Sequence, residues 1–392
     1  MKVEEIFVLE SMISATNQAC VAIIAGEASG DQHGAKLINA MQKKNPGLFY
    51  CGIGGPALKQ AGVRILVDAS ELTVVGITEV FAKIPGILKG MGAIKKLLNS
   101  LKPDLLILID FPDFNLRIAA AAKKLGIPVL YYISPQVWAW RRGRVKRIGR
   151  LVDHMAVILP FEEQFYTENN VAATFVGHPL LDGPLPAADQ VFASGVEGQV
   201  TIGLMPGSRD SEISRHLPVM LDTANILKDR LKHARFIISH APSVERQQID
   251  MIVAEHSGRM DAEIISNGVE TVFERSDVIV AASGTVTLQA AIHGTPMVII
   301  YKVSPISFLL GRALVRVPHI GLVNLVAGQE LVPEFVQKEA NPDNIASAVE
   351  NMLADKNHLN HLRQQLFGLR DVLGGGGASD RVAELALGML GI

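Results

Sequence analysis

The sequence predicts an α/β protein of two Rossmann-like domains facing across a cleft. Two glycine-rich strand ends carry this expectation. The apolar run Val21-Ala22-Ile23-Ile24-Ala25 breaks into Gly26-Glu27-Ala28-Ser29-Gly30-Asp31, and Thr201-Ile202-Gly203-Leu204-Met205 breaks into Pro206-Gly207-Ser208-Arg209-Asp210. Each opens a helix and heads its own series of strands and helices. A third observation is length: 392 residues are too many for one ordinary core and suit two.

Residues 1–18 form an extension expected to be disordered. They carry Glu4, Glu5 and Glu10 and do not read as a signal peptide. The first domain is expected over 19–182, with strands at 21–25, 49–52, 105–110, 129–133, 155–159 and 174–176. These runs are rich in Ile, Val and Leu without strict alternation, as in parallel strands covered on both faces. Helical stretches such as 35–43 and 116–124 fall between them. Residues 183–199, rich in Pro, Ala, Gly and Asp, read as a linker. The second domain, 200–372, has strands at 200–205, 236–239, 263–266, 278–282 and 297–301. In the final segment, 373–392, a break of four glycines (Gly374 to Gly377) precedes a last helix at 380–387. That helix packs on the first domain or on a partner chain, so a homodimer stays open.

Bulk numbers narrow the function. A net charge of −2 gives no overall bias toward nucleic acid. Two cysteines, Cys20 and Cys51, allow neither a zinc set nor a disulfide framework and fit a reducing compartment. No apolar run reaches the roughly 18 residues that a membrane span needs.

Gly207-Ser208-Arg209 sits where strand becomes helix. Glycine lets N–H groups approach an anion, the helix N-terminus adds positive potential, and Arg209 can fork onto phosphate oxygens. A diphosphate grip and an ordinary tight turn with a surface arginine are equally good readings. Ser283-Gly284-Thr285 repeats the device after Val278-Ile279-Val280-Ala281-Ala282, with Gln289 one helical turn beyond, within reach of a ribose or simply solvated. Asp110 ends an apolar run and is a candidate general base at the carboxyl end of a strand. Asp113 is its rival, or a helix cap.

Three segments combine apolar and basic residues. The first, 82–102, carries Ile84, Ile87, Leu88 and Met91 among five lysines and no acid. The second contains Trp138, Trp140, Arg141 and Arg142, and the third spans 307–316. Each reads as a lipid-surface contact or as a core-packing or solvated element.

Taken together, Gly26-Glu27-Ala28-Ser29-Gly30-Asp31, Val75-Gly76-Ile77-Thr78-Glu79-Val80, Ile109-Asp110-Phe111-Pro112-Asp113-Phe114-Asn115, Ser134-Pro135-Gln136-Val137-Trp138-Ala139-Trp140, Pro206-Gly207-Ser208-Arg209, Ala282-Ser283-Gly284-Thr285 and Asn324-Leu325-Val326-Ala327-Gly328 resemble the lipid-A-disaccharide synthases, inverting glycosyltransferases of Gram-negative lipid A assembly. The resemblance implies a GT-B architecture. It implies transfer of 2,3-diacylglucosamine from its UDP derivative to 2,3-diacylglucosamine 1-phosphate, giving a β-1,6 disaccharide phosphate and UDP. By it, Asp110 is the base, Arg209 meets the diphosphate, and Ser283, Gly284 and Thr285 hold phosphate or ribose. Asn324 lines the nucleotide side, and Glu27 and Ser29 lie near the sugar. Gln289 and Gln329 stand where that family usually has glutamate and arginine. The expected location is cytoplasmic, peripheral to the inner membrane, with no cofactor or metal and no nucleic acid. The alternatives are a UDP-GlcNAc 2-epimerase-like enzyme on the same architecture and a non-catalytic UDP- or lipid-binding protein.

Overall fold

The computed structural model describes residues 18–71, 80–140, 142–187, 199–256, 261–266, 268–305, 308, 309, 311 and 317–392; the side chains of 71, 80–85 and 142 lie outside that description. The extension 1–17, the Val75–Glu79 part of one quoted motif, Arg141 and most of 307–316 therefore fall outside it. The chain divides into two compact units. The first comprises the described residues up to Asp182 together with Gly374–Ile392, and the second is Gly183–Leu373.

Unit 1 contains a seven-stranded sheet. Its strands are β1 (Cys20–Ala25), β2 (Phe49–Gly54), β3 (Arg64–Asp68), β4 (Leu105–Ile109), β5 (Val129–Tyr132), β6 (His154–Val157) and β7 (Ala173–Phe175), in the spatial order β3-β2-β1-β4-β5-β6-β7. Every pairing is parallel. The helices are α1 (Ala28–Lys44), α2 (Pro56–Gln60), α3 (Val80–Leu101), α4 (Pro112–Lys124), α5 (Val137–Trp140), α6 (Val145–Leu151) and α7 (Pro160–Thr167). The central strands are buried along their whole length, which explains their unbroken apolar sequence. Helix α3 buries Met91, Ile94, Leu97 and Leu98 on the sheet, a spacing that puts them on one helical face.

The sheet of unit 2 has six parallel strands: β8 (Val200–Met205), β9 (Ala234–His240), β10 (Ala262–Ser266), β11 (Val278–Ala282), β12 (Met297–Tyr301) and β13 (Glu334–Val336), ordered β10-β9-β8-β11-β12-β13. Its helices are α8 (Asp210–Arg230), α9 (Arg246–His256), α10 (Val269–Arg275), α11 (Thr285–Ile292), α12 (Leu322–Ala327), α13 (Pro342–Ala354) and α14 (Lys356–Val372). A last helix, α15 (Ala378–Leu390), returns to unit 1. Its Val382, Ala383, Ala386 and Leu387 join the core beneath α1. Asp182 fastens the start of α15: its carboxylate accepts from Gly377 N, Ala378 N and Ser379 N at 2.8–2.9 Å and from Ser379 Oγ at 2.6 Å.

The strand order reverses direction between β1 and β4 in unit 1, and between β8 and β11 in unit 2. In open parallel sheets, ligands bind beyond the carboxyl ends of strands at such a switch point. The register pairs Ala25 with Ile109 and Met205 with Ala281. Gly26 therefore leaves the first sheet beside Asp110, and Pro206 leaves the second beside Ala282.

Candidate functional site

At the unit 1 switch point the chain turns out of β4 through two non-glycine residues in the left-handed region, Asp110 (φ 45°) and Phe111 (φ 47°). Each such residue costs about 1–2 kcal/mol, so the surroundings must hold them. The Asp110 carbonyl accepts from Tyr131 Oη at 2.5 Å and from Asn115 Nδ2 at 2.7 Å, and its N–H donates to Tyr132 O at 3.2 Å. The Phe111 ring packs over Gly26 so closely that a Cβ there would overlap it; only glycine admits that ring. Tyr131 is fully buried and, chiefly through burial, its phenol stays protonated well beyond the usual range, so it remains a donor.

Burial, and next the negative charge of Glu27, push the Asp110 carboxyl up to about 6 from its ordinary 3.8, against a hydrogen bond from the Phe111 N–H. Such a group is mostly ionised at neutral pH and is still basic enough to take a proton. Asp113 differs in every respect. Its side chain is 75% exposed in the first turn of α4 and is paired with Arg144 Nη1 at 3.0 Å. Glu27 occupies the N-cap position of α1, and both it and Ser29 are exposed. Asp31 instead turns inward to accept from Gly55 N, Ala57 N and Leu58 N.

At the unit 2 switch point, Gly207 takes φ 122°, and a Cβ there would collide with the Glu212 carboxylate. Ser208 N donates to Glu212 Oε2 at 2.9 Å, and Arg209 Nη1 to Glu212 Oε1 at 3.0 Å. The Arg209 side chain is 78% exposed at the N-cap of α8. On the neighbouring strand end, Ser283 Oγ donates to Ile320 O at 2.8 Å. Gly284 caps α11 with open space around it. Thr285 is exposed, Gln289 is half-buried one turn further on, and Gln329 is exposed beside Gly328. Two helix N-termini thus meet the solvent beside one exposed guanidinium, an arrangement suited to an anion with several oxygens.

Four expectations need correction. Asn324 does not present its side chain to a ligand. It is fully buried, donating to Val332 O and Glu334 Oε1 and accepting from Leu331 N and Val332 N, so its amide has no hydrogen-bonding capacity left. Trp138 is not a lipid contact: its indole is buried edge-on to Phe161 and donates to Glu162 Oε1 at 2.9 Å. Burial pushes the Glu162 carboxyl up to about 7. Met91 belongs to the core, and Ile87 is half-buried against it. The surface of these segments is carried by Leu88 and Trp140, 58% and 42% exposed. The Ile84, Arg141 and Arg142 side chains lie outside the described residues.

Tyr131, Glu212 and Glu334 are site-shaping residues that carry no local motif; each acts on a partner brought close by the fold or by one helical turn. Among the described residues, no group of three or more His, Cys, Asp or Glu is placed to hold a metal ion, and no helix is long and apolar enough to cross a membrane.

Comparison with known proteins identifies the family. The family model described as lipid-A-disaccharide synthetase matches residues 21–371. Lipid-A-disaccharide synthases of Syntrophus aciditrophicus and Geobacter metallireducens are 47% and 46% identical, each over 95% of this chain and 98% and 97% of their own. Among solved structures, UDP-GlcNAc 2-epimerase from Neisseria meningitidis bound to UDP-GlcNAc superposes with a TM-score of 0.64 at 13% identity, covering 94% of this chain and all of that one. MurG of Acinetobacter baumannii gives 0.58 at 16% identity, over 95% and 99%. At such identities these two structures speak for the fold alone.

Proposed function

The chain belongs to the lipid-A-disaccharide synthase family and is a glycosyltransferase of lipid A assembly with a GT-B fold, and from that premise we propose which residues perform the transfer. The donor is UDP-2,3-diacylglucosamine and the acceptor 2,3-diacylglucosamine 1-phosphate. Asp110 takes the proton of the acceptor 6-hydroxyl as its oxygen attacks the anomeric carbon, the bond to the diphosphate breaks, and configuration inverts to the β-1,6 link. The carrying observation is the Asp110 carboxyl itself, half-buried at a topological switch point and pushed up to about 6. Asp113, exposed and ion-paired, lacks that environment.

UDP leaves with negative charge growing on its diphosphate. Arg209, the Gly207 N–H and the N-terminus of α11 at Gly284 and Thr285 stabilise that charge. Preorganised donors of this kind supply what a metal supplies elsewhere, so no metal is required. Glu27 and Ser29 contact the sugar, Gln289 the ribose, and Asn324 acts indirectly by fixing the 331–334 backbone.

The acyl chains hold both substrates in the bilayer by about 0.8 kcal/mol per buried CH₂, so the enzyme works at the cytoplasmic surface of the inner membrane. Leu88 and Trp140, with the exposed lysines of α3, fit that surface; Leu88→Glu should lower sedimentation with anionic vesicles, and unchanged binding would remove Leu88 from the contact.

The reaction is tested in detergent micelles with both lipid substrates, for wild type and Asp110→Ala and with excess EDTA. Disaccharide and UDP should form with or without EDTA and fail to form with Asp110→Ala. No product from folded wild type, turnover of UDP-GlcNAc without lipid, or loss restored by Mg²⁺ would each contradict the corresponding part.

A further inference from the structure

We infer that His216 is a positioning residue for the nucleotide side of the reaction, tying the 206–209 anion loop to the end of β12. His216 lies in the second turn of α8 and is buried. Its Nδ1 stands 3.0 Å from Pro206 O, and its Nε2 stands 3.0 Å from Lys302 N. A backbone amide can only donate, so Nε2 accepts and carries no proton. The neutral ring then holds its hydrogen on Nδ1, which donates to Pro206 O. One tautomer satisfies both contacts, the other satisfies neither, and an imidazolium would set one N–H against another.

The ring thereby joins two strand ends that lie on either side of β11, the strand whose end carries Ser283 and Gly284. The peptide between Pro206 and Gly207 is planar and trans. Fixing its carbonyl toward the ring points the Gly207 N–H the opposite way and fixes the plane from which the loop starts. Without the ring, Pro206 O and Lys302 N would each lose a buried partner.

Burial favours the neutral ring, and its two hydrogen bonds hold it in place. Burial is the main cause that lowers its pKa. Glu212 and Arg215 on α8 act in opposite directions on it. The Tyr301 ring of β12 lies 6.4 Å away, and the Lys302 ammonium is engaged with Ala340 O.

On the reading of 206–209 as the diphosphate grip proposed above, His216 sets how firmly the donor is held and has no part on the acceptor side. The test is calorimetric UDP binding and donor and acceptor KM for full-length wild type, His216→Leu, His216→Asn and Arg209→Ala, with melting temperatures. His216→Leu fills the space without either hydrogen bond. It should weaken UDP about tenfold, raise donor KM to match, and leave acceptor KM unchanged. His216→Asn, whose amide nitrogen can still donate to Pro206 O, should recover part of that loss. Unchanged UDP affinity in His216→Leu with only a lower melting temperature would overturn the inference while Arg209→Ala still weakens UDP. Unchanged affinity in Arg209→Ala as well would overturn the diphosphate reading itself. Should His216→Leu not fold, His216→Asn carries the test, and wild-type UDP affinity and donor KM in it would count against the inference.

Discussion

In unit 1 the strand beside β1 ends in Asp110 and Phe111, two left-handed non-glycine residues over a buried tyrosine. In unit 2 the corresponding turns carry Gly207 and Gly284, and the Arg209 side chain, paired with Glu212, stands mostly in solvent. Both units place a switch point at the same topological position. The residues just past the strand ends differ, and with them the electrostatics. The first turn withdraws a carboxylate from water and sets Glu27 near it, so the pKa rises. The second exposes N–H groups and a cation. One environment suits a proton acceptor, the other an anion. Strain is confined to the first, where a side chain must be aimed and glycine would not serve.

Short of removing Asp110 itself, breaking the anion side should have the largest effect. Arg209→Ala removes the exposed cation, so kcat/KM should fall by about 10²–10³ and UDP binding should weaken. A variant with normal UDP affinity would place the diphosphate elsewhere. Next comes the clamp on the strained turn. Tyr131→Phe keeps the ring but removes the donor to Asp110 O; kcat should drop about tenfold with UDP affinity intact. Equal losses in kcat and UDP binding would mean that the clamp does not act through Asp110.

The smallest effect is on stability, and its sign is informative. Raising the folded pKa of Asp110 to about 6 means that its stabilising contribution is complete below about 3.8 and is lost as pH rises through 6. Asp110→Asn should therefore stabilise the protein at pH 8 by ~1–3 kcal/mol and change little at pH 4, even as it cuts turnover to a residual rate. A variant less stable at pH 8 would show that the carboxylate is not held at a cost.

The two switch points are legible because an apolar run, a small-residue turn and a helix start are contiguous in sequence, as at 21–31 and 201–210. The edge strands β3 and β13 escape that pattern: they are short and carry Arg64, Asp68 and Glu334, charges that interrupt the apolar run. Asp110 and Asp113 look alike in sequence and are separated only by burial and the Arg144 ion pair. Trp138 reads as surface beside arginines because its partner, Glu162, lies 24 residues on. Asn324 reads as a ligand contact because the Glu334 that occupies it sits on another element, the edge strand β13. In each of these misreadings, the deciding residue is distant in sequence and only tertiary packing supplies it.

The central claim is that unit 1 holds a general base whose pKa the fold has raised. The most direct measurement is the pH dependence of kcat/KM for the lipid acceptor, in wild type and Asp110→Asn. The wild-type profile should rise through an acid limb near pH 6, and the residual rate of Asp110→Asn should be flat across that range. A wild-type profile flat from about pH 5 to 7, or a variant that keeps the limb, would contradict the assignment of Asp110 as the base.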